Sequence, residues 1–134
     1  MTLWQPGMRI TAARLNDFTP VPLASTATPA AAFTLTSFTA RKTGGVVEWS
    51  IILVRNGGAI TADAKGNIGD TDCATLPSDC RPGAIYFAPF DTAGIASGAV
   101  RVATNGLCTL TSLDPTASIA SGATVNFSGA FAAG

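Results

Sequence analysis

Residues 47–54 read Val-Glu-Trp-Ser-Ile-Ile-Leu-Val, and this stretch decides the fold class. One face of the stretch carries Val47, Trp49, Ile51 and Leu53. The opposite face begins polar and becomes apolar at Ile52 and Val54. A two-residue period is typical of a β-strand with one buried face. We therefore predict a strand with Trp49 in the core. The end of the strand that carries Ile52 and Val54 should be covered on both faces, as in the middle of a sandwich or at a subunit contact.

Short runs of the same period continue from Phe33 to the end of the chain, separated by Gly, Asn, Asp and Pro. Turn signals occur at 56–58 (Asn-Gly-Gly), 65–67 (Lys-Gly-Asn) and 105–106 (Asn-Gly), and the first and last of them predict hairpins. Seven or eight short strands at a spacing of roughly 8–12 residues, without a helical period, indicate an all-β fold. We predict an antiparallel β-sandwich of the jelly-roll type.

The first 32 residues have a different character. Residues 10–18 predict one short helix, with Thr11 as N-cap and Ile10 and Leu15 in a hydrophobic staple. Pro, Ala, Ser and Thr without a period predict an extended connector over residues 20–32. A helix of about two turns is not stable alone, so it must dock on its own domain or on a partner. The predicted organisation is an N-terminal anchoring arm and connector (1–32) followed by a β-sandwich domain (33–134).

The charge composition restricts the partners. The chain has eight basic and eight acidic residues, and charged residues make up 12% of it. Nucleic-acid binding needs clustered Lys and Arg, so we expect no nucleic-acid partner.

No apolar run approaches the roughly 20 residues of a membrane-spanning helix, and the start lacks the pattern of a signal peptide, so we expect no membrane partner. A surface of Thr, Ser and Ala costs little to desolvate, which favours packing against other subunits.

The inventory of reactive side chains argues against catalysis. The chain has no histidine, the commonest general base and zinc ligand. The acidic residues of the central loops are Asp63, Asp70, Asp72 and Asp79. Asp70 and Asp72 could bind calcium or form an acid/base pair, but carboxylates in Gly-rich connections usually shape turns. We predict that the protein is not an enzyme and has no catalytic residue, bound metal or cofactor.

The three cysteines are Cys73, Cys80 and Cys108. Their spacing fits no zinc site and no framework of bridges. Because no secretory signal is present, buried free thiols are favoured over a Cys73–Cys80 bridge, which would need an oxidising medium.

Tyr86 is the aromatic residue we consider for ligand binding. It lies near Arg81 and Asp91 in the sequence. These three residues could form the rim of a carbohydrate site or a subunit contact, where Tyr and Arg are enriched.

Two stretches resemble proteins of tailed bacteriophages that infect actinobacteria. Residues 4–16, Trp-Gln-Pro-Gly-Met-Arg-Ile-Thr-Ala-Ala-Arg-Leu-Asn, resemble the short arm that begins many of their small tail and virion-surface proteins. Residues 74–82 and 100–110 resemble a Leu-Pro…Arg-Pro pattern, followed by alternating strands, of tail-fibre and receptor-binding heads. Cys80 stands where that pattern usually has an aromatic residue.

The resemblance implies a virion structural protein, assembled in the host cytoplasm as a homotrimer. The implied contacts of the arm with the particle are Trp4, Pro6, Ile10, Leu15 and Phe18. In one interpretation the trimer is a tail-fibre or receptor-binding head, attached to tail or baseplate proteins and adhering to host-surface carbohydrate. In the other it is a capsid-decorating protein or head spike that stabilises the shell through the major capsid protein.

Overall fold

The computed structural model describes Gly7 and residues 18–132. The chain is all-β, as predicted, and consists mainly of one large antiparallel sheet curled into a half-barrel. A single turn of 3-10 helix, Ser78–Cys80, is the only helical element among the described residues. The helix predicted over residues 10–18 lies outside the described residues, apart from Phe18, and stays a prediction.

The strands in chain order are β1 (Val21–Pro22), β2 (Thr28–Pro29), β3 (Phe33–Thr43), β4 (Val46–Arg55), β5 (Ile60–Thr61), β6 (Asn67–Thr75), β7 (Tyr86–Asp91), β8 (Ser97–Val102), β9 (Leu107–Leu113), β10 (Ser118–Ile119) and β11 (Thr124–Ala132). Nine of them form the main sheet, in the order β1-β3-β4-β11-β7-β8-β9-β6-β2. The short strands β5 and β10 pair with each other.

The alternating residues 47–54 lie in β4, which has a neighbouring strand on each side. Its four alternating apolar residues are buried, and Ile52 and Val54 on the other face are half-buried. β4 pairs with β3 on one side and with β11 on the other. The Trp49 ring meets Phe127 of β11 edge to face at a centroid distance of 5.8 Å. The prediction of Trp49 as a core residue is therefore confirmed.

The main sheet has two halves that face each other across one core. β3, β4 and β11 form the first half, and β7, β8, β9 and β6 form the second. The buried side chains of the first half include Ile51, Leu53 and Val125, and those of the second include Val100, Val102 and Leu110. A single core between two antiparallel layers is consistent with the predicted sandwich.

The segment 21–30, which we call the strap, connects the outer edges of the two halves. At its start, β1 pairs with β3, and the Leu23 N–H donates to the Ala40 carbonyl at 2.9 Å. At its end, β2 pairs with β6, and the Ala30 N–H donates to the Cys73 carbonyl at 3.0 Å. The predicted connector is thus extended, and it is hydrogen-bonded to the sheet along both edges.

One predicted hairpin is confirmed and the other is wrong. The turn at 105–106 joins β8 to β9, and Gly106 adopts a left-handed φ of 89°. After the turn at 56–58 the chain leaves β4 and enters β5, which pairs with β10. A hairpin cannot form there because both edges of β4 are occupied. The Arg55 N–H already donates to the Ala123 carbonyl, and the Arg55 carbonyl accepts from Gly122.

Candidate functional site

The alternation along β7 separates the two aromatic residues at its start. Tyr86 points inward with Ala88 and Phe90, whereas Phe87 points outward and is 63% exposed. The pKa of the Tyr86 hydroxyl is raised to about 12, mainly because the group is buried. The nearby Cys108 also raises this pKa, whereas Trp49 lowers it. The exposed aromatic of this strand is therefore Phe87. Sequence reasoning missed it, although the apolar residues Ala88 and Phe90 already marked the inward face.

The structure does not bring the three predicted rim residues together. Asp91 lies at the opposite end of β7 from Tyr86, and a strand rises about 3.3 Å per residue. The Asp91 carboxylate accepts from the Gly94 N–H at 2.7 Å, within its own hairpin loop. The Arg81 Nε donates to the Leu76 carbonyl at 3.3 Å. Each of the two charged residues thus fixes a local turn, and Tyr86 faces the core between them.

The predicted arm contacts Trp4, Pro6, Ile10 and Leu15 lie outside the described residues. Phe18, the last of the set, is 56% exposed.

Of the four carboxylates expected in loops, Asp63 lies in the loop before β6 and Asp79 in the 3-10 turn, but Asp70 and Asp72 lie within β6 and shape no turn. Three of the four accept hydrogen bonds. Asp63 accepts hydrogen bonds from the backbone N–H groups of Lys65 and Asn67, and the bonds to Asn67 lower the pKa of its carboxyl most strongly. The Asp72 carboxylate accepts from the Thr109 hydroxyl at 2.8 Å. The Asp79 carboxylate accepts from Ser25 of the strap at 2.6 Å. Across Gly7 and residues 18–132, no three acidic or cysteine side chains gather as a metal site would need.

The three cysteines are free and buried, as predicted. Burial raises the pKa of the Cys108 and Cys80 thiols to about 12, and it raises the pKa of the Cys73 thiol as well. A thiol that stays protonated is a poor nucleophile, so these cysteines belong to the core.

The join between the two halves of the sheet is short and leaves a strand edge open. β11 pairs with β7 only at Asn126↔Asp91 and Phe127↔Phe90. Beyond that point the ladder ends next to Pro89, which has no N–H to donate. The β11 residues 128–132 pair with β4 alone. We call the unpaired boundary between residues 128–132 and the first part of β7 the seam.

The inner end of the seam is filled by aromatic rings. A Cβ atom at Gly129 would overlap the Tyr86 hydroxyl and would lie 2.7 Å from the Trp49 ring. The Trp49 Nε1 and the Tyr86 hydroxyl are buried there, and neither has a hydrogen-bond partner among the described residues. Gly129 is therefore the position at which the rings reach the backbone of β11.

The outer side of the seam is apolar. Continuing the β11–β7 register places Ala130 opposite Phe87, and the β4–β11 register places Val46 opposite Ala132. Ile85, just before β7, is 56% exposed and Val46 is 46% exposed. We call this surface, formed by Val46, Ile85, Phe87, Ala130 and Ala132, the seam patch.

A groove of about 730 Å³ borders the seam patch on the outer face of β3, β4 and β11. A row of hydroxyls crosses it, because Thr39, Ser50 and Ser128 stand opposite one another in register. The next row contains an ion pair between Arg41 and Glu48. The groove therefore offers uncharged and mutually neutralised polar groups, next to an apolar surface.

Among the described residues, no helix has the length and apolar character needed to cross a lipid bilayer. No protein-family model matches the chain. No curated protein matches it either.

Proposed function

We propose that this chain is a structural protein of a bacteriophage virion, a homotrimeric surface appendage held on the particle by residues 1–32. In this role it binds other virion proteins and catalyses no reaction. The observation that carries the proposal is the seam patch, an exposed apolar surface beside an open strand edge. Apolar surfaces of this kind on small proteins are typical of subunit contacts.

The resemblance of residues 4–16, 74–82 and 100–110 to tail and virion-surface proteins supports the choice of a virion. Two antiparallel layers on a short arm also suit a part that is repeated on a symmetric particle. Repetition raises the avidity of weak contacts by orders of magnitude without new contacts.

In the first form of the proposal, the appendage is of the tail-fibre or receptor-binding type and adheres to host-surface carbohydrate. The groove on β3, β4 and β11 supports this form. Its hydroxyls and the Arg41–Glu48 pair present hydrogen-bond donors and acceptors without net charge. Such a lining suits a neutral, hydroxyl-rich ligand.

In the second form, the protein decorates the capsid and stabilises the shell. The exposed aromatic residues of the described chain favour this form, because there are only two of them, Phe18 in the turn before β1 and Phe87 within β7. Aromatic anchors are the residues that a dedicated binding loop normally displays.

Particle composition tests the proposal. Purified particles of the phage that encodes the chain are analysed by quantitative mass spectrometry, once with the intact chain and once with a chain that lacks residues 1–17 and keeps the strap. We expect the intact chain at a copy number divisible by three and the shortened chain only in the soluble fraction. Absence of the intact chain from particles would overturn the proposal. Normal incorporation of the shortened chain would overturn the role of residues 1–17 in attachment to the particle.

Gold labelling of the same particles separates the two forms. Label at the tail tip, together with binding of the protein to host cell-wall polysaccharide, supports the first form. Label spread over the shell, without polysaccharide binding, supports the second.

A further inference from the structure

We infer that the seam is the subunit interface of this protein, and that a second copy of the chain covers the seam patch. The inference rests on the proposed function, since it locates the contact that the homotrimer requires.

The first argument is the open backbone edge. Residues 128–132 form strand hydrogen bonds with β4 on one side, and within the described chain no strand pairs with their other side. An open edge presents N–H and C=O groups, and a polypeptide backbone is the partner that satisfies a row of them. The chemistry of the edge therefore selects a protein as the occupant.

The second argument is the side chains that stand beside this edge. Phe87 is 63% exposed and Ile85 is 56% exposed, and both lie across the seam from the alanines of β11. Alanines at 130 and 132 leave room for a large side chain from another molecule to approach the backbone. Burial of the Phe87 and Ile85 side chains against a second copy would remove their apolar surface from water, and symmetry would repeat that gain at each contact of the trimer.

The third argument is charge. Arg41 and Glu48, the ionised residues next to Ala130, neutralise each other. On the other side, Arg101 stands opposite Phe87, and its Nε has no acceptor among the described residues. The charged groups beside the patch are therefore one neutralised pair and one arginine, and the Arg101 Nε, which lacks an acceptor in the described chain, favours a partner that offers a carbonyl or carboxylate oxygen there. A second copy of the chain has a net charge of zero and therefore brings no long-range net repulsion to this contact.

Light scattering coupled to size-exclusion chromatography tests the inference on the full chain. We expect the unmodified protein to have three times the 13.5 kDa mass of one chain. Phe87→Asp and Ala130→Lys each place a charge in the seam patch on an outward-facing side chain. Either variant should lower the mass to that of one chain at the same protein concentration, with an unchanged far-ultraviolet circular dichroism spectrum.

Ile95→Asp is the matched control. Ile95 is the most exposed of the large apolar residues described, at 82%, and lies in the β7–β8 loop away from the seam. This variant should keep the mass of the unmodified protein. Amide hydrogen exchange gives a second readout, because residues 128–132 should exchange more slowly in the trimer than in the Phe87→Asp monomer.

The outcomes separate this inference from the proposed function. A trimer that persists in both seam variants overturns the seam as the interface and leaves the trimer intact. A monomeric unmodified chain overturns the homotrimer, and with it the second copy as occupant. Loss of the trimer in Ile95→Asp as well as in the seam variants would also contradict the assignment, because it would show a general sensitivity to surface charge.

Discussion

Gly129 is the residue on which the packing of the seam depends. It lies in β11 where the Tyr86 hydroxyl and the Trp49 ring reach the backbone, and a Cβ there would be 2.7 Å from the Trp49 ring. We expect Gly129→Ala to lower the free energy of unfolding by about 1–3 kcal/mol, since an overpacked core must shift its side chains. Urea unfolding of the two proteins, followed by tryptophan fluorescence, measures the difference.

Two further variants test the cause of that loss. Gly69→Ala is the control, because no atom lies within 4 Å of a Cβ at Gly69. It should change the free energy of unfolding little. In the Tyr86→Phe background the hydroxyl is gone, so the effect of Gly129→Ala should shrink, as expected for residues in contact. An equal loss in both backgrounds would show that Tyr86 is not the obstacle.

At the scale of elements, the strap connects the edges that would otherwise be open. It pairs with β3 and β6, it buries Ala27, and its Ser25 hydroxyl donates to Asp79. A chain that starts at residue 18 keeps the strap and is the reference for this comparison. A chain that starts at residue 31 should melt at a much lower temperature and aggregate, because the edges of β3 and β6 become exposed.

Thermal unfolding by circular dichroism and the soluble fraction after centrifugation are the measurements. Equal melting temperatures for the two shortened chains would contradict a structural role of the strap. Equal melting temperatures would also support a domain boundary after residue 32, where the start of the two-residue period predicts it.

The sequence predicts best those strands whose two faces differ in polarity. β4, β8 and β11 alternate most clearly, and the structure contains all three. Pairing is less predictable, because an Asn-Gly turn fixes a local reversal and does not show whether the preceding strand has a free edge. The turn at 56–58 is the example, since β4 already has a neighbour on each side. The strap has no period because backbone pairing at its two ends connects it to the sheet, and Ala27 is the only fully buried side chain between residues 21 and 30.

The candidate site was less predictable than the fold for a related reason. Tyr86 and Phe87 are adjacent, and only the face of the strand decides which of them meets solvent. The seam results from the early end of the β11–β7 ladder, which is a long-range property. Pro89 was its one local signal, since a proline without an N–H is poorly suited to the interior of a sheet.

For the whole molecule, the core contains groups that must stay uncharged. The Cys80 and Cys108 thiols have their pKa raised by burial from an ordinary value of 9.0 to about 12, and the Tyr86 hydroxyl has its pKa raised from 10.0 to about 12. In the unfolded chain these groups lose their protons near their ordinary pKa, whereas in the folded chain they keep them. Their contribution to stability is therefore complete below about pH 9 and is lost as the pH rises toward 12.

We accordingly expect the free energy of unfolding to be flat from pH 7 to 8.5 and to fall above pH 9. Each buried thiol contributes a slope of up to about 1.4 kcal/mol per pH unit. Urea unfolding at pH 8, 10 and 11 measures the slope. Cys108→Ala should be less stable at pH 8, because it removes a buried sulfur, yet its stability should fall less steeply between pH 9 and 11. Lysines titrate in both proteins and cancel in the comparison, so parallel curves for the two would show that the Cys108 thiol is not held protonated by the fold.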